Sequence, residues 1–251
     1  NALREHFPGC RFHSFAEEHV QKQESFDYKD TLGTEPAIIS EHGIRFRADP
    51  AGAHKTGFFA DQRENREWLS RMCSGQRVLD LCCNTGGFGV YAAVRGAEEV
   101  IGIDIDPAVL EIARGNAKLN GLHGKAMPRF IQADIFPWLR DAQANGERFD
   151  VVILDPAKMT RDREQVIPAL KKYLDMNKLA LGVVKPGGIL LTCSCTGLVS
   201  EEQFLDMIRR AAFYANRTVQ ILEVRGAGPD HPWMAHAQDS RYLKAVFCRV
   251  F

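Results

Sequence analysis

Two cysteines and a series of aspartates are the residues of this chain whose types and spacing could do chemistry. Cys193 and Cys195 lie in the segment Leu191-Thr-Cys-Ser-Cys-Thr-Gly197, and an ionised thiol is a nucleophile. Because they are two residues apart, both point the same way if the strand continues. Acidic side chains fall at the ends of the preceding apolar runs: Asp80, Asp104, Asp134 and Asp155. Since an open parallel sheet binds ligands at the carboxyl ends of its strands, the pattern predicts a cofactor site with a candidate nucleophile beside it.

A glycine-rich loop narrows the class of cofactor. The segment Val78-Leu-Asp-Leu-Cys-Cys-Asn-Thr-Gly-Gly-Phe-Gly89 predicts a buried strand, a tight turn and the start of a helix, and its glycines let backbone amides approach a ligand. The spacing is not Gly-x-Gly-x-x-Gly and a pyrophosphate has no evident partner, which argues against a nicotinamide dinucleotide. Asp104, at the end of the second strand, suits the two hydroxyls of a ribose. The pattern favours S-adenosylmethionine, which has ribose and adenine but no phosphate, although any single aspartate could instead cap the next helix.

The composition limits the class of protein. The chain has 251 residues, 45% of them apolar and 25% charged, with a formal net charge of zero. This balance argues against a uniformly basic nucleic-acid surface, though it allows a local basic groove. No apolar run approaches the roughly 20 residues of a membrane span. Seven cysteines without a Cys-x-x-Cys pair predict a reduced, cytoplasmic protein with no metal site. The first residues lack both an initiator Met and a signal pattern, which predicts a fragment or a processed product.

The order of the predicted elements indicates an α/β fold. Residues 1–55 are predicted to form a small β-rich appendage, with a hairpin whose four-residue turn is Ser40-Glu-His-Gly43. From about residue 61, strands and helices alternate. The predicted strands cover residues 77–83, 99–104, 129–134, 149–155, 189–194, 218–225 and 242–250. The predicted helices begin at Asp61 (ending at Gly75), at Asp106-Pro107 (ending at Gly121), near Pro137, at about 164 and at about 200. No helix separates the last two strands, so a mostly parallel sheet should end in an antiparallel pair.

Several motifs together resemble those of a known family. They are Lys55-Thr-Gly-Phe-Phe-Ala-Asp-Gln-Arg-Glu-Asn65, Asn84-Thr-Gly-Gly-Phe88, Asp155-Pro-Ala-Lys158, Cys193-Ser-Cys-Thr-Gly-Leu198 and Asp230-His-Pro232. From about residue 36 to its end, the chain resembles the bacterial large-subunit ribosomal RNA cytosine-C5 methyltransferases. The resemblance implies a class I methyltransferase (Rossmann-like) fold over residues 56–251, with a seven-stranded, mostly parallel sheet and an antiparallel last strand. It also implies that the appendage follows an RNA-binding domain of the PUA type, which is missing here.

The resemblance also assigns a cofactor site. The residues implied to bind S-adenosylmethionine are Gln62, Arg63, Asp80, Cys82, Asn84, Thr85, Gly86, Gly87, Asp104, Ile105, Asp134, Ile135 and Asp155. Asp80 and residues 84–87 would hold the methionine part, Asp104 the ribose and Asp134 the adenine amino group.

Methylation of cytosine at carbon 5 requires a nucleophile such as a thiol. A thiolate that adds to carbon 6 turns the ring into an enamine that accepts a methyl group at carbon 5, and elimination then frees the enzyme. The resemblance selects Cys195 for this role and leaves Cys193 to pack as a small apolar residue. A free thiol is only about 3% ionised at pH 7, and Lys158 is the nearest cation in the sequence. Asp155 would bind or protonate ring nitrogen 3, or cap a helix. Lys158 would contact the cytosine carbonyl or a phosphate, or be an ordinary surface lysine.

The chain departs from the family pattern after the fourth strand. Ala157 stands where the family commonly has a second proline, and no cysteine follows Pro156, so the base that removes the carbon 5 proton is open. The segment 226–240 should lie over the active face, where His231 would contact the RNA or bond within the loop. Trp233 would stack on a flipped base or cover the loop. A phosphate path and a solvated helix face explain four basic side chains equally well: Arg161, Arg163, Lys171 and Lys172.

Three other functions compete with RNA cytosine methylation. A methyltransferase that acts on a guanine ring nitrogen or an exocyclic amine needs no thiol, but the usual amino-methylating motif has an aromatic residue at the position of Lys158. A non-catalytic RNA-binding module could keep a degenerate cofactor fold, and an NAD reductase would bind nicotinamide. The sequence does not identify the modified nucleotide, and it leaves the oligomeric state open between a monomer and an oligomer such as a homodimer.

Overall fold

The computed structural model describes residues 2–10, 12, 16, 21–22, 24–28, 35–49, 57–160, 162–237 and 240–251. Lys55 and Thr56 of the first family motif, and Arg161 of the basic group, lie outside these residues. The predicted domain boundary near residue 55 lies outside them too, so the division into an appendage and a second domain stays a prediction. In the described part of the chain, no helix is both long and apolar enough to cross a membrane.

A seven-stranded sheet forms the centre of the described structure. The strands, in chain order, are β1 (Ala37–Glu41), β2 (Ile44–Ala48), β3 (Arg77–Leu81), β4 (Glu99–Asp104), β5 (Arg129–Gln132), β6 (Phe149–Leu154), β7 (Val184–Ser194), β8 (Val219–Arg225) and β9 (Lys244–Val250). The central sheet has the order β5-β4-β3-β6-β7-β9-β8, and β9 is antiparallel to both its neighbours. The predicted seven-stranded sheet with an antiparallel last strand is confirmed. Because the strand order reverses between β3 and β6, a ligand crevice is expected at their carboxyl ends.

Helices cover both faces of this sheet. They are α2 (Arg63–Ser70), α3 (Gly87–Val94), α4 (Pro107–Leu119), α5 (Ile135–Ala144), α6 (Val166–Val183) and α7 (Glu201–Tyr214). A further short helix, α1 (Ala2–His6), has its residues 3–6 exposed. Side-chain caps mark the starts of α4, α5 and α7. Asp106 accepts a hydrogen bond from the Ala108 amide at 2.8 Å ahead of Pro107, and Ser200 forms a capping box with Gln203. One buried cluster joins the sheet to α5, α6 and α7, and a second joins it to α2, α3 and α4.

The hairpin β1–β2 differs from the prediction in its turn. Glu41 pairs with Ile44, so the turn contains only His42 and Gly43. Both turn residues have positive φ values, 47° and 82°. Two-residue turns of this kind match the twist of the strands that they join. The prediction of a four-residue turn over residues 40–43 was therefore wrong, because the strands continue pairing further than their apolar pattern indicated.

The hairpin packs into the second buried cluster. The Phe46 ring is fully buried, with its centroid 4.9 Å from that of Phe58 and 5.9 Å from that of Tyr91. Glu41 and Arg66 form an ion pair at 2.8 Å between the hairpin and α2, and both side chains are buried. The hairpin therefore shares apolar and charged contacts with the elements that surround the sheet.

Asp61 does not cap a helix, contrary to the prediction. It lies in a short 3-10 turn over Ala60–Gln62, and α2 begins after that turn without a side-chain cap. The carboxylate of Asp61 accepts a hydrogen bond from the Tyr242 hydroxyl at 2.6 Å instead. The helix also ends at Ser70, before Gly75. The Asp61 carboxylate is therefore bonded to Tyr242, a residue distant in sequence, and not to a backbone amide of the helix that follows it.

Candidate active site

A cavity of about 1340 Å³ opens at the carboxyl ends of β3 to β7. The predicted site residues that line it are Gln62, Asp80, Cys82, Asn84, Thr85, Gly87, Asp104, Ile105, Asp134, Ile135, Asp155, Lys158 and Cys195. Arg63, Gly86 and His231 are not among its lining residues. The volume exceeds the roughly 300–1,000 Å³ of an ordinary small-molecule site, so a cofactor and a second reactant can share it.

The loop between β3 and α3 is held in an unusual backbone conformation. Cys82 and Asn84 have φ values of 58° and 48°, a region that residues with a side chain rarely adopt. The Asn84 amide donates to the Asp104 carboxylate at 2.8 Å, which ties the loop to the end of β4. Gly86 is not a lining residue although its neighbours Thr85 and Gly87 are, and a β carbon on Gly86 would come within 3.0 Å of Ala113 and Phe130. The predicted contact between Gly86 and the cofactor stays a prediction, and packing and a φ of 77° both favour glycine at this position.

The aspartates at the ends of β4 and β5 have different local roles. Asp104 accepts backbone amides on both oxygens, from Asn84 at 2.8 Å and from Asp106 at 3.1 Å. Asp134 caps α5 by accepting the Phe136 amide at 2.8 Å. Asp134 therefore caps the helix that follows it, whereas Asp104 does not, because Asp106 caps α4. Each carboxylate oxygen has two lone pairs, so both groups keep acceptor capacity toward the cavity.

Asp80 is the most deeply buried acid of the site. Its side chain is 1% exposed, and one oxygen accepts the Gly89 amide at 2.9 Å near the start of α3. Burial raises the pKa of this carboxyl to about 8, the Gly89 hydrogen bond opposes that rise, and the nearby Asp155 and Asp104 add to it. In the folded protein without a ligand, Asp80 therefore favours its protonated form at neutral pH.

Replacing Asp80 with asparagine should stabilise the ligand-free protein increasingly as the pH rises from about 4 to about 8. The folded state holds the Asp80 proton while the unfolded state releases it, so the stability of the wild type falls over this range. Asparagine keeps an acceptor for Gly89 and does not titrate. We expect the gain to reach a few kcal/mol at pH 8, measured by urea unfolding at pH 5 and pH 8. An equal gain at both pH values would contradict this account.

The two candidate thiols lie in different environments. β7 ends at Ser194, so Cys193 belongs to the strand and Cys195 lies beyond it. Cys193 is fully buried, and burial raises the pKa of its thiol well above the usual range. Cys195 is half-buried and lines the cavity, and its thiol lies 3.9 Å from the Pro156 carbonyl oxygen. Because β7 stops between them, the condition under which the two side chains would point the same way is not met.

Asp155 faces the same cavity from the end of β6. One of its oxygens accepts the Gln62 side-chain amide at 3.1 Å. The side-chain oxygen of Gln62 accepts a hydrogen bond from the Asn65 side-chain amide at 2.7 Å, which fixes the orientation of the Gln62 amide. The next helix after Asp155 begins at Val166, so Asp155 caps no helix in the described residues. Lys158 is exposed at the rim of the cavity.

The outer loop forms a charged cluster beside the cavity. Arg63 pairs with Asp230 at 3.1 Å, and His231 lies 3.3 Å from the same carboxylate. The Gly228 amide donates to the Asp61 backbone carbonyl at 2.9 Å, which attaches the loop next to the site. The Nδ1 atom of His231 thus contacts a carboxylate of its own loop, and a contact of His231 with RNA stays a prediction. Trp233 is exposed. Three members of the basic group are exposed too: Arg163, Lys171 and Lys172.

Three residues near the site had not been selected from the sequence: Asp61, Tyr242 and Lys244. Asp61 and Tyr242 line the cavity and share a hydrogen bond. Lys244 is buried in β9, next to the end of β7. One signal existed, since Lys244 is a single charge at the start of the apolar run Lys244-Ala-Val-Phe-Cys248. Among the described residues, no group of three or more His, Cys, Asp or Glu side chains is placed to hold a metal ion.

Comparisons with known sequences agree with this geometry. A family model described as S-adenosylmethionine-dependent methyltransferase matches residues 17–247. The Ribosomal RNA large subunit methyltransferase I of Aeromonas salmonicida is 40% identical over 256 residues, which covers 99% of this chain. The protein of the same name from Photobacterium profundum is 39% identical over 254 residues, again 99% of this chain. This chain spans 64% of the length of each relative.

Solved structures share the fold at lower identity. A SAM-dependent methyltransferase from Streptococcus mutans superposes with a TM-score of 0.77 at 22% identity, covering 88% of this chain and 58% of that one. A methyltransferase solved in complex with SAH gives a TM-score of 0.78 at 23% identity, with the same two coverages. At these identities the likeness concerns the fold.

Proposed function

This chain belongs to the S-adenosylmethionine-dependent methyltransferase family, and from that premise we propose that it methylates carbon 5 of a cytosine in large-subunit ribosomal RNA through a covalent bond to Cys195. The observation that carries the proposal is the half-buried thiol of Cys195, which lines the same cavity as the aspartates at the strand ends. The names of the relatives from Aeromonas salmonicida and Photobacterium profundum support ribosomal RNA as the substrate.

The residues of the cavity fit S-adenosylmethionine. Three acidic side chains from neighbouring strands line it, Asp80, Asp104 and Asp134. Asp104 and Asp134 would repel a pyrophosphate but attract a ligand that carries a sulfonium and an ammonium group, and the positive charge of such a ligand would favour the ionised form of Asp80. The free lone pairs of Asp104 suit a ribose diol, and those of Asp134 suit an adenine amino group. When bound, S-adenosylmethionine supplies an electrophilic methyl group.

Cys195 supplies the step that cytosine cannot perform unaided. Its thiolate adds to carbon 6, and the electron pair of the ring double bond moves to make carbon 5 nucleophilic. After carbon 5 has taken the methyl group, a base removes the carbon 5 proton. The double bond then re-forms, and the sulfur leaves carbon 6 as a thiolate. The cytosine must leave its stack to reach a thiol inside a cavity.

Asp155 and Lys158 would act on the base while it is bound to sulfur. Addition at carbon 6 builds negative charge on ring nitrogen 3. A protonated Asp155 would donate a hydrogen bond or its proton to that nitrogen. The hydrogen bond from Gln62 holds the Asp155 carboxylate in place. Lys158, exposed at the rim, is suited to the cytosine carbonyl or to a phosphate of the RNA.

The cysteines also support a cytoplasmic location. The structure describes all seven, and none of them forms a disulfide bond. A protein that keeps seven reduced cysteines, one of them a proposed nucleophile, suits a reducing compartment.

RNA that contains 5-fluorocytidine tests the proposal. We expect large-subunit ribosomal RNA transcribed with this base to form a complex with the enzyme that survives denaturing electrophoresis when S-adenosylmethionine is present. Fluorine replaces the carbon 5 proton, so the elimination that frees Cys195 cannot occur. The variant Cys195→Ser should form no such complex. The matched variant Cys193→Ala, which changes the buried thiol two residues away, should form it as the wild type does.

Two results would overturn the proposal. One is methylation of normal RNA without any trapped complex on the fluorinated RNA, which would indicate a target atom other than cytosine carbon 5. The other is equal trapping by wild type and Cys195→Ser, which would assign the nucleophile to another residue.

A further inference from the structure

Lys244 is a buried cation close to the proposed nucleophile. Its side chain is 3% exposed, although lysine is among the residues that folded proteins bury least often. The Nζ atom donates to three backbone carbonyl oxygens: those of Thr196 at 2.7 Å, Val199 at 2.7 Å and Tyr242 at 2.9 Å. Three acceptors match the three N–H groups of an ammonium, whereas a neutral amine has one fewer. The contacts therefore suit the charged form.

These contacts fix the segment that carries Cys195. β9 runs antiparallel to β7, and Lys244 pairs with Ser194, the residue before Cys195. Two of the three carbonyls belong to residues 196–199, which follow Cys195 directly. The Thr196 hydroxyl lies 3.1 Å from the Tyr173 hydroxyl, and it accepts the Met159 amide at 3.2 Å. Lys244 is thus part of a set of contacts that hold the turn in which the thiol meets the cavity.

We propose that Lys244 is a positioning residue for Cys195, holding the turn at residues 195–199 and stabilising the thiolate with its buried ammonium group. The inference deepens the proposed function and rests on it. Lys158 also carries a positive charge in this cavity, but Lys158 is exposed to water. A charge in a buried environment acts more strongly at the same distance than one screened by solvent.

The groups around the thiol set the pH range of this effect. Tyr173 of α6, Lys244 of β9 and Tyr242, just before β9, interact with Cys195. Asp155, Asp61 and Lys158 line the same cavity. Burial lowers the pKa of Lys244 to about 8, while Cys195 and Glu201 oppose the fall and Arg241 adds to it. Lys244 is therefore mostly charged at pH 7 and mostly neutral above pH 9.

The rate at which iodoacetamide alkylates Cys195 tests the inference without RNA or cofactor. The rate is followed from pH 5.5 to 10 by mass spectrometry of the Cys195 peptide. The midpoint of the curve of rate against pH reports the pKa of the Cys195 thiol. We expect Lys244→Met to raise this midpoint by about one pH unit, which makes the reaction at pH 7 about tenfold slower. The curves of variant and wild type should converge above pH 9, where Lys244 is neutral. Lys185→Met, which removes an ion pair with Asp150 at 2.8 Å far from the site, should leave the midpoint unchanged.

A second variant separates charge from positioning. Lys244→Gln keeps N–H donors but has no charge, so its midpoint should shift as that of Lys244→Met does. Restoration of the wild-type midpoint by glutamine would overturn the electrostatic role, and an unshifted midpoint in both variants would overturn the whole inference.

A reciprocal measurement needs no change at Lys244. Cys195→Ala should lower the pKa of Lys244 itself, followed by NMR of its ¹³Cε methylene, because the coupling between two charges acts on both. An unchanged Lys244 pKa would sink the inference even if the Lys244 variants failed to fold. A shifted midpoint together with no complex on 5-fluorocytidine RNA would keep the Lys244–Cys195 coupling and refute the cytosine chemistry.

Discussion

Replacing Cys195 with alanine is expected to reduce methyl transfer to RNA at least about 10³-fold, because removing a covalent nucleophile takes away the step that activates carbon 5. Binding of S-adenosylmethionine should stay within a few-fold of wild type, since the cofactor is assigned to the acidic strand ends. Single-turnover transfer of a labelled methyl group measures the first quantity, and calorimetry measures the second.

Cys193 provides the matched control for this experiment. It has the same side chain two residues away but is fully buried in the core. Cys193→Ala should cost about 1 kcal/mol of stability through a small cavity and leave the rate of methyl transfer within about twofold. Near-normal transfer by Cys195→Ala would remove covalent catalysis and favour a target atom that needs no thiol.

Replacing Glu41 with alanine is expected to lower the free energy of unfolding by about 3–5 kcal/mol, because it leaves a buried guanidinium without its counter-charge. Arg66 is 3% exposed, and its Nη2 donates to both carboxylate oxygens of Glu41, to Oε1 at 2.9 Å and to Oε2 at 2.8 Å. It also donates to the Phe59 carbonyl at 3.0 Å, and its guanidinium carbon lies 4.7 Å from the Phe58 ring centroid. Urea unfolding gives the change directly.

An exposed ion pair and a double variant complete this test. Asp206 pairs with Arg209 on the surface of α7, and Asp206→Ala should cost no more than about 0.5 kcal/mol. Changing both Glu41 and Arg66 to methionine should recover part of the loss, because no buried charge is then left unpaired. A cost below about 1 kcal/mol for Glu41→Ala would mean that water reaches Arg66 when the hairpin charge is removed.

Much of the sheet could be predicted because its signals are local. β4 was predicted over its full extent, residues 99–104, from a short apolar run that ends in an aspartate. The start of α4 followed from Asp106 and Pro107, two residues that act within one turn of helix. The acidic residues at the strand ends line one cavity because parallel strands bring their carboxyl ends to the same edge.

What the sequence determined by itself was therefore the order of strands and helices, the S-adenosylmethionine family and the set of residues from which a site could be built. The family resemblance selected Cys195, and the tertiary structure decided that its thiol lines the same cavity as the strand-end aspartates while Cys193 is buried. It also decided that Asp61 meets Tyr242, 181 residues away, and that Lys244 holds the turn after Cys195. No local pattern names the partners in such contacts, because they meet only when the chain folds and β9 inserts between β7 and β8.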